Sequence, residues 1–359
     1  MRIALLHPTY WPEVRRGAER LVHDYAGWLA GHGHEVTVLT TRRGSAPGPA
    51  AGEEGFRVVR AWRPPDRLLQ RRAYEDFLGA VPSQALALVN SDFDVAHAFH
   101  PVSAWAALRA RRLGGPPVVF SILGIPIRRY LVERRYRMEM NLEVARDAAA
   151  VSVLSEAAAH AYRRYLLRDP LVVPPGVRTA DFATGVERAA EPTIVYAGTP
   201  AEPRKRLPLL LEAFAELRAS RPGLRLLLAG RAECPIHLPD GVTFVPGDET
   251  PLLARALSAA HVSVLPAVLE AFGLVLVESL AAGTPVVAAR SGGCPEVVHD
   301  ERVGRLFEPD DRSDLVRALE EGLELGSDAA VAAVCRAYAR QWDWEAVGPR
   351  WLELAEGVA

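Results

Sequence analysis

Two glutamates, Glu270 and Glu278, are the residues of this sequence whose type and spacing best suit chemistry. Glu270 precedes an apolar run that predicts a helix, and Glu278 lies within that helix, eight residues further along the chain. The flanking residues 274–277 and 280–282 are expected to be buried, so an uncompensated carboxylate among them would cost several kcal/mol. Glu278 is therefore expected either to bind a partner or to lie on one solvent-facing stripe of the helix.

A strand, a loop, the helix and a second strand position these two carboxylates. The β-branched run 261–266 predicts a buried parallel strand, residues 283–285 end the helix, and residues 286–289 predict the next strand. In sheets of this kind, ligands bind outside the carboxyl ends of the strands, and a helix N-terminus favours an anion. The loop 267–273 lies at that edge, so a phosphate-bearing ligand is expected there.

The stretch 270–296 resembles the E-x7-E signature of the retaining GT-B glycosyltransferases of group 1, the glycosyltransferase family 4-like type. Both glutamates, the Phe-Gly pair between them, the Ala-Gly-Thr-Pro-Val-Val that follows and a Gly-Gly-x-Pro-Glu at 292–296 occur in the order of that signature. The resemblance implies that Glu270 binds hydroxyls of the donor sugar and that Glu278 binds the ribose hydroxyls, a charge-assisted contact. The backbone N–H groups that would cradle the sugar and the diphosphate are those of Phe272, Gly273 and Leu274.

A second donor-binding element follows a predicted strand that ends at Gly198. The chain then runs through Arg204 and Lys205 into a predicted helix at 207–219, and a glycine turn, cations and a helix start together favour a diphosphate. By the resemblance, Lys205 and a nearby arginine stabilise the leaving nucleoside diphosphate. The family's Gly-Arg pair is Gly198-Thr199 here and the loop is one residue longer, so Arg204 is expected to supply the missing charge.

The N-terminal strand, loop and helix resemble the opening element of the same family. A strand at 3–7 and a helix at 18–30 flank a loop in which the family's Gly-Gly pair reads Arg16-Gly17. Gly17 is expected to let the backbone approach the donor phosphate or the acceptor. Arg15 and Arg16 are expected either to face an anionic acceptor or the diphosphate, or to be solvated.

Two further strand ends are expected on the acceptor side. The run 94–100 predicts a buried strand, and the resemblance places His100 beside the anomeric carbon and the acceptor. His97 is expected to be a core histidine satisfied by the backbone. The strand 118–124 ends at Gly124, an acceptor-side candidate, although relatives carry a histidine where this chain has the preceding leucine.

Two polar patterns have structural explanations. The triplet 92–94, Asp-Phe-Asp, looks like the D-x-D metal motif of the other glycosyltransferase fold, but it precedes a strand as turn residues do. The arginine-rich run 128–146, predicted as one helix, could rest on anionic lipid or bind an acidic acceptor. Its interleaved glutamates favour a solvated, salt-bridged helix. No metal site is therefore expected, and peripheral membrane contact is open but not favoured.

Length and composition suggest two globular domains in a reducing compartment. The chain has 359 residues, 49% hydrophobic and 24% charged, which suits two domains of about 170 residues. A net charge of −2 argues against a general nucleic-acid binder. Neither a signal peptide nor an apolar run of membrane-spanning length is recognised, so the protein is expected to be cytoplasmic. The cysteines form neither an even set nor a metal pair, being Cys234, Cys294 and Cys335.

The predicted fold class is α/β, specifically GT-B, with two Rossmann-like domains that face each other across a cleft. Residues 1–178 are expected to form the acceptor-binding domain, and residues 193–340 the nucleotide-sugar-binding domain. Residues 179–192 lack periodicity and predict the linker. The helix within 341–359 resembles the family's C-terminal helix, which crosses back and packs on the N-terminal domain.

The expected reaction moves a sugar from a nucleotide diphosphate sugar to an acceptor hydroxyl with retention of anomeric configuration. By the resemblance, the leaving phosphate takes the acceptor proton on the same face, and neither a metal nor a cofactor is needed. The acceptor is expected to be a small soluble molecule or a lipid-linked one, with the former favoured. Two alternatives stay open: an epimerase or phosphorylase on the same fold, and a non-catalytic homologue that acts as a partner subunit.

Overall fold

Two compact units make up the chain. Unit 1 comprises Met1–Gly176 and Val347–Ala359, and unit 2 comprises Val177–Ala346. The computed structural model describes residues 1–11, 13–14, 16–43, 51–53, 55–63, 77–89, 91–200, 202–230 and 238–359. Each unit has its own sheet of mainly parallel strands that alternate with helices along the chain, which confirms the predicted Rossmann-like architecture.

The first strand of the chain lies near the centre of the sheet of unit 1. Its strands are β1 (Arg2–Leu6), β2 (Glu35–Arg43), β3 (Ala51–Glu53), β4 (Phe56–Arg63), β5 (Val95–Ala98), β6 (Val118–Ile122), β7 (Ala150–Val153) and β8 (Leu171–Val172). The order across the sheet is β3-β4-β2-β1-β5-β6-β7-β8, and β3 is antiparallel to its neighbour. Because β1 and β5 are adjacent and parallel, the residues that follow them lie side by side at one edge.

The helices of unit 1 follow the strands in a βα alternation. They are α1 (Gly17–Gly31), α2 (Val81–Leu88), α3 (Pro101–Arg111), α4 (Arg128–Val132), α5 (Arg135–Asp147) and α6 (Glu156–Leu166). A 3₁₀ turn at Leu78–Ala80 precedes α2. The strands β1, β5, β6 and β7 are almost entirely buried, as expected of parallel strands covered on both faces.

The prediction of one helix over 128–146 is wrong. The chain breaks between α4 and α5, where Arg134 has an extended backbone with φ −138° and ψ 129°. Leu131 and Met140 are both buried, yet nine residues of a straight helix would turn them about 180° apart. The break lets both side chains reach the core of the unit.

Unit 2 is a second parallel sheet with helices between its strands. Its strands are β9 (Thr193–Ala197), β10 (Arg225–Gly230), β11 (Val242–Pro246), β12 (Val262–Leu265), β13 (Val286–Ala289) and β14 (Gly304–Phe307). The order is β11-β10-β9-β12-β13-β14. The helices are α7 (Leu207–Ser220), α8 (Thr250–Ala259), α9 (Leu274–Ala282), α10 (Cys294–Val297), α11 (Arg312–Ser327), α12 (Val331–Ala339) and α13 (Trp344–Glu356), the last of which continues into unit 1.

The C-terminal helix returns to unit 1, as predicted. From Val347 onward the chain belongs to that unit. The Trp351 indole N–H donates to the carbonyl of Pro174 at 2.7 Å, and the Tyr25 hydroxyl donates to the carbonyl of Trp351 at 3.0 Å. The ring of Trp351 also stacks near His97, with centroids 5.8 Å apart. These buried contacts tie the chain end to the first sheet.

The segment 179–192 is packed on unit 2. It begins with a 3₁₀ turn, Thr179–Phe182, in which Phe182 is buried. The backbone N–H of Thr179 donates to the carboxylate of Asp343 at 3.2 Å, so this turn is tied to the 3₁₀ turn Arg340–Trp342 and the residue after it. Within the described ranges, no helix combines the length and the apolarity that crossing a bilayer requires.

Candidate active site

Three of the predicted catalytic residues meet in unit 2. The Lys205 ammonium donates to Oε2 of Glu270 at 2.7 Å, and Nη1 of Arg204 donates to the same oxygen at 2.9 Å. Nε of Arg204 donates to Oε1 of Glu202 at 2.7 Å, a contact that the sequence did not predict. One carboxylate oxygen therefore holds two cations at a single point.

The electrostatics of this cluster keep Glu270 and Arg204 charged. The side chains of Glu270 and Lys205 are only 16% and 13% exposed. Burial opposes ionisation of Glu270, but Lys205 and Arg204 outweigh it, so the pKa of Glu270 lies below its ordinary value. Burial likewise opposes the charge of Arg204, and the two carboxylates outweigh that effect and raise its pKa. The opposite charges of the carboxylates and Arg204 therefore stabilise one another in a site that is largely shielded from water.

Adjacent strands bring these residues together. Arg204 and Lys205 lie in a 3₁₀ turn, Pro203–Lys205, between β9 and α7, whereas Glu270 lies in the loop between β12 and α9. Because β9 and β12 are parallel neighbours, the two loops leave the same edge of the sheet. The backbone N–H of Val268 donates to the carbonyl of Arg204 at 2.9 Å and joins the loops directly.

A glycine pair fixes the backbone at Glu270. Gly292 has φ +58°, and a side chain there would overlap the carbonyl oxygen of Glu270. The N–H of Gly293 donates to that same carbonyl at 2.9 Å, and the N–H of Leu269 donates to the hydroxyl oxygen of Ser291 at 3.1 Å. In the sequence, the Gly-Gly pair stands out only as part of the signature. Its role follows from its place after β13, the strand next to β12.

The start of α9 is formed as the sequence predicts. Gly273 has φ +96° and caps the helix, and a side chain there would crowd Leu276. Phe272 is buried and meets the ring of Trp342 edge-on, with centroids 6.1 Å apart. The first-turn N–H groups of a helix have no intrahelical acceptor and carry partial positive charge. This helix start, with Leu274 as its first residue, can therefore receive an anion.

Glu278 is buried, with 2% of its surface exposed. The alternative of a solvent-facing stripe is therefore wrong. Leu276 and Val277 are buried around it, as expected. Leu274 and Val275, which were also expected to be buried, are half-buried because they lie in the exposed first turn. A carboxylate in such surroundings suits a ligand with paired hydroxyl donors.

Glycines line the carboxyl ends of three adjacent strands, β9, β10 and β11. The N–H of Gly198 donates to the carbonyl of Ala229 at 3.2 Å. A side chain on Gly230 would come within 2.9 Å of the Gly198 carbonyl, and one on Gly247 within 2.8 Å of the Gly230 nitrogen. The backbone is thus close-packed beside the predicted diphosphate turn. Gly198 is predicted from the sequence as a turn, whereas Gly247 carries no sequence signal that marks it.

One thiol is buried close to the charged cluster. Cys294, the first residue of α10, is fully buried. Burial, with Glu270 nearby, raises the pKa of the Cys294 thiol to about 12. A thiol with so high a pKa is a poor nucleophile at neutral pH. This cysteine is a packing residue, whereas Cys234 lies outside the described residues.

His100 in unit 1 begins helix α3 rather than ending a strand. Its Nδ1 accepts the N–H of Val102 at 3.3 Å, so the ring caps the helix. It meets the rings of His7 and Phe77 edge-on, with centroids 5.9 and 5.4 Å away. Burial, together with His7, lowers the pKa of His100 to about 3. The ring is therefore neutral and carries its proton on Nε2.

His97 is a core residue, but the predicted backbone partner is wrong. Its Nε2 is 2.7 Å from the hydroxyl oxygen of Ser121, which lies 2.6 Å from that of Ser152. These side chains form a buried row across β5, β6 and β7, because parallel strands in register place equivalent side chains on one face. Burial lowers the pKa of His97 to about 3.

The remaining acceptor-side candidates are at strand ends of unit 1. Gly17 is the first residue of α1, and Arg16 before it is exposed with an extended backbone. Gly124 is exposed, and a side chain there would have no atom within 4 Å, so space is open beside it. Arg15 lies outside the described residues. These positions stay predictions.

The Asp-Phe-Asp triplet is structural, as expected. The N–H of Arg2 donates to Asp94 at 2.7 Å, and the Arg2 guanidinium lies 3.4 Å from Asp92. Both aspartates are at the amino ends of β1 and β5, the edge opposite His100. Within the described residues, no group of three or more His, Cys, Asp or Glu side chains could hold a metal ion.

Sequence reasoning missed a buried polar cluster in unit 1. His7, Thr9 and Glu19 contact one another at the carboxyl end of β1, next to His100. The signal that could have found them is the polar residues that follow the apolar strand and face the buried side of α1. The ring of His7 connects this cluster to His100, because the two rings pack edge-on.

Family models match both halves of the chain. Residues 177–342 match the model described as glycosyl transferases group 1, and residues 16–176 match the glycosyl transferase 4-like domain. The chain therefore belongs to this family of glycosyltransferases, as the resemblance indicated. No finer activity follows from the models alone.

Similar proteins agree with that class. A phosphatidyl-myo-inositol mannosyltransferase of Propionibacterium freudenreichii is 28% identical over 98% of this chain and 93% of its own length. A D-inositol 3-phosphate glycosyltransferase of Segniliparus rotundus is 35% identical over 40% of this chain and 38% of its own. The solved structure of sucrose-phosphate synthase from Thermosynechococcus elongatus has a TM-score of 0.83 at 22% identity, covering 99% of this chain and 98% of that one. The structural likeness supports the GT-B fold.

Proposed function

We propose that this glycosyltransferase moves a sugar from a nucleotide diphosphate sugar to an acceptor hydroxyl with retention of configuration and without a metal. The observation that carries the proposal is the contact of Lys205 and Arg204 with one oxygen of Glu270. Two cations, a carboxylate and a helix start at one sheet edge provide the groups that such a donor needs. The cations suit its diphosphate, and the carboxylate suits its sugar hydroxyls.

Charge stabilisation of the leaving group is the main chemical contribution of unit 2. As the bond between the anomeric carbon and the phosphate oxygen breaks, negative charge grows on the diphosphate. Lys205, Arg204 and the first-turn N–H groups of α9 are fixed before the reaction and stabilise that charge. A diphosphate that draws the cations toward itself would release Glu270, whose carboxylate then accepts hydroxyl groups of the donor sugar.

Retention is proposed to occur in a single step, without a covalent bond between the sugar and Glu270. In the donor complex the carboxylate of Glu270 accepts hydroxyl groups of the sugar, so it is assigned to binding and not to nucleophilic attack. We infer that the acceptor oxygen attacks the anomeric carbon on the face that the phosphate leaves. The leaving phosphate oxygen takes the acceptor proton, so the bonds balance without an enzyme-bound sugar.

Glu278 is assigned to the ribose of the donor. It is buried in α9, the same helix whose first turn is proposed to receive the diphosphate. A carboxylate can accept both vicinal ribose hydroxyls, a charge-assisted contact that suits this assignment. The nucleobase would then lie toward the other strand ends of unit 2, where Gly198 and Gly230 bring the backbone close.

The acceptor is assigned to unit 1, with His100 as its contact. The neutral His100 ring carries a proton on Nε2 and can donate to a hydroxyl oxygen. The two relatives described above are named for acceptors that contain inositol, one lipid-linked and one soluble. Inositol-type acceptors of both kinds are therefore the first to test, and nucleic acid is not an expected partner.

A thermal-shift panel tests this proposal. UDP-, GDP-, ADP- and dTDP-sugars at about 1 mM are added to the wild type, to Glu278→Ala and to Glu321→Ala, a control in unit 2 away from the site. A ligand at 100 times its Kd adds roughly 2.7 kcal/mol of apparent stability. We expect one nucleotide class to stabilise the wild type and the control but not Glu278→Ala. An absence of stabilisation by every donor would contradict the proposal and favour a non-catalytic partner subunit.

A further inference from the structure

A buried chain of contacts links Glu19 to the ring of His7. The Thr9 hydroxyl donates to Oε1 of Glu19 at 2.6 Å, and Nδ1 of His7 lies 2.7 Å from the carbonyl oxygen of Thr9. Oε1 of Glu19 is also 4.0 Å from Nδ1 of His7. All three side chains are buried, and Glu19 is only 3% exposed. The charge of Glu19 lies in the first turn of α1, where the helix N-terminus favours it.

These contacts determine which nitrogen of each ring carries the proton. Nδ1 of His7 lies 2.7 Å from the carbonyl oxygen of Thr9, which can only accept, and 3.4 Å from the N–H of Thr9, so the shorter contact assigns the proton to Nδ1. Nε2 of His7 is then the acceptor. In His100 the order is reversed, because Nδ1 accepts the Val102 N–H. The two neighbouring rings therefore have opposite tautomers.

The backbone of His7 is held independently of its ring. The Gln84 amide donates to the carbonyl of His7 at 3.2 Å and to that of Leu39 at 3.0 Å. Removing Glu19 would therefore release the ring and the Thr9 loop while leaving the strand in place. His7 packs edge-on against His100, with ring centroids 5.9 Å apart, so a change in one ring reaches the other.

We propose that Glu19 is a positioning residue for His100. Through Thr9 it fixes the His7 ring in one orientation and one tautomer, and the fixed His7 ring sets the position of His100 against the acceptor. This role rests on the proposed function, in which His100 contacts the acceptor hydroxyl. It concerns unit 1 only, so donor binding in unit 2 does not depend on it.

Ring-nitrogen NMR of [15N]histidine-labelled protein tests the proposal without any substrate. The peaks of His7 and His100 are assigned from His7→Gln and His100→Gln. We expect the wild type to show His7 protonated on Nδ1 and His100 on Nε2. Glu19→Ala and Thr9→Val should both remove the single His7 tautomer and shift the His100 peaks. Glu19→Gln, whose amide oxygen can still accept from Thr9, should restore most of the wild-type pattern.

The control is Asp94→Ala, which removes a hydrogen bond to Arg2 at the opposite edge of the same strand pair. It should leave the peaks of both rings unchanged even though it weakens the same strands. Thr9→Val replaces one hydroxyl by a methyl group of similar size, so this variant is expected to fold. It therefore tests the proposal even if Glu19→Ala does not fold. Unchanged His7 and His100 peaks in Thr9→Val would overturn the proposal.

A kinetic measurement separates this proposal from the proposed function. With the donor found in the thermal-shift panel, Glu19→Ala should lower kcat for transfer about 10- to 100-fold and leave the donor-induced stabilisation unchanged. Glu19→Gln should recover most of the rate. Equal rates for wild type and Glu19→Ala would overturn the positioning role. A panel without any donor response would instead contradict the proposed function and would leave the NMR result standing.

Discussion

The carbonyl oxygen of Glu270 occupies the space that a side chain on Gly292 would need. Gly292 also has a left-handed backbone, with φ +58°, and the N–H of Gly293 donates to the same carbonyl. The glycine pair of one loop therefore fixes the backbone of the residue that holds Lys205 and Arg204. The proposed donor chemistry of unit 2 therefore depends on this close approach of two loops.

The substitution Gly292→Ala should disrupt the charged cluster. The added methyl group overlaps the Glu270 backbone and the left-handed conformation is strained, so we expect a loss of about 1–3 kcal/mol in the free energy of unfolding. Donor-induced stabilisation should disappear with it. Gly185→Ala is the matched control, because Gly185 has φ +66° and open space around it. Equal effects of the two substitutions on donor binding, measured by thermal shift, would contradict the role of Gly292.

Glu270→Gln should separate diphosphate binding from catalysis. The amide no longer holds Lys205 and Arg204 by charge, so the cations are freer to bind a diphosphate. We expect the free nucleoside diphosphate to bind a few-fold more tightly by calorimetry, while sugar transfer falls by at least about 100-fold. Glu202→Gln, which removes a partner of Arg204 alone, should change both quantities less. Weaker diphosphate binding with unchanged transfer would contradict the assignment.

The candidate donor site could be proposed from the sequence because its signature is contiguous in the chain. Glu270, Phe272, Gly273 and Glu278 lie on one loop and one helix, where local spacing determines their relative positions. The contact of Lys205 with Glu270 could only be expected from the resemblance, because it requires β9 and β12 to be neighbours. Pairing between distant strands is not visible in local periodicity.

The buried cluster of unit 1 could not be predicted in the same way. His7, Thr9 and Glu19 are joined through a loop whose conformation no short pattern determines. The break between α4 and α5 was missed for a related reason. Helical propensity continues across Arg134, and only the burial of side chains on opposite faces favours the break.

Arg206 should be more costly to replace by alanine than by glycine. Its backbone is left-handed, with φ +53°, and it pairs at 2.8 Å with Asp310, which has φ +61°. The pair is largely exposed and contributes little, whereas glycine adopts this conformation without strain. We expect Arg206→Gly to be about 1 kcal/mol more stable than Arg206→Ala in urea unfolding. The reverse order would show that the ion pair and not the backbone decides stability here.

Buried histidines should make unit 1 less stable as the pH falls. Burial lowers the pKa of His97 and of His100 to about 3, below their ordinary value of 6.5. The unfolded chain therefore binds more protons between these values. The stability that each neutral ring contributes is present above pH 6.5 and is lost as the pH falls toward about 3.

Replacing one buried ring should reduce this pH dependence. We expect His97→Gln to lower the slope of unfolding free energy against pH by roughly 1 kcal/mol per pH unit between pH 5 and 6. Urea unfolding followed by tryptophan fluorescence measures the slope. His160→Gln, an exposed histidine of the same unit, should leave the slope unchanged. An unaltered slope in His97→Gln would contradict the assignment of a neutral buried ring.

The most direct measurement follows the anomeric configuration of the transferred sugar by 1H NMR. The reaction contains the donor selected by thermal shift, EDTA, and either D-inositol 3-phosphate or vesicles with phosphatidyl-myo-inositol, and slow donor hydrolysis reports the same configuration with water as acceptor. An α-linked donor should give an α-linked first product, and Lys205→Ala should abolish its formation. A β-linked first product, or transfer that requires a divalent metal, would contradict retaining, metal-independent transfer at the Glu270 site.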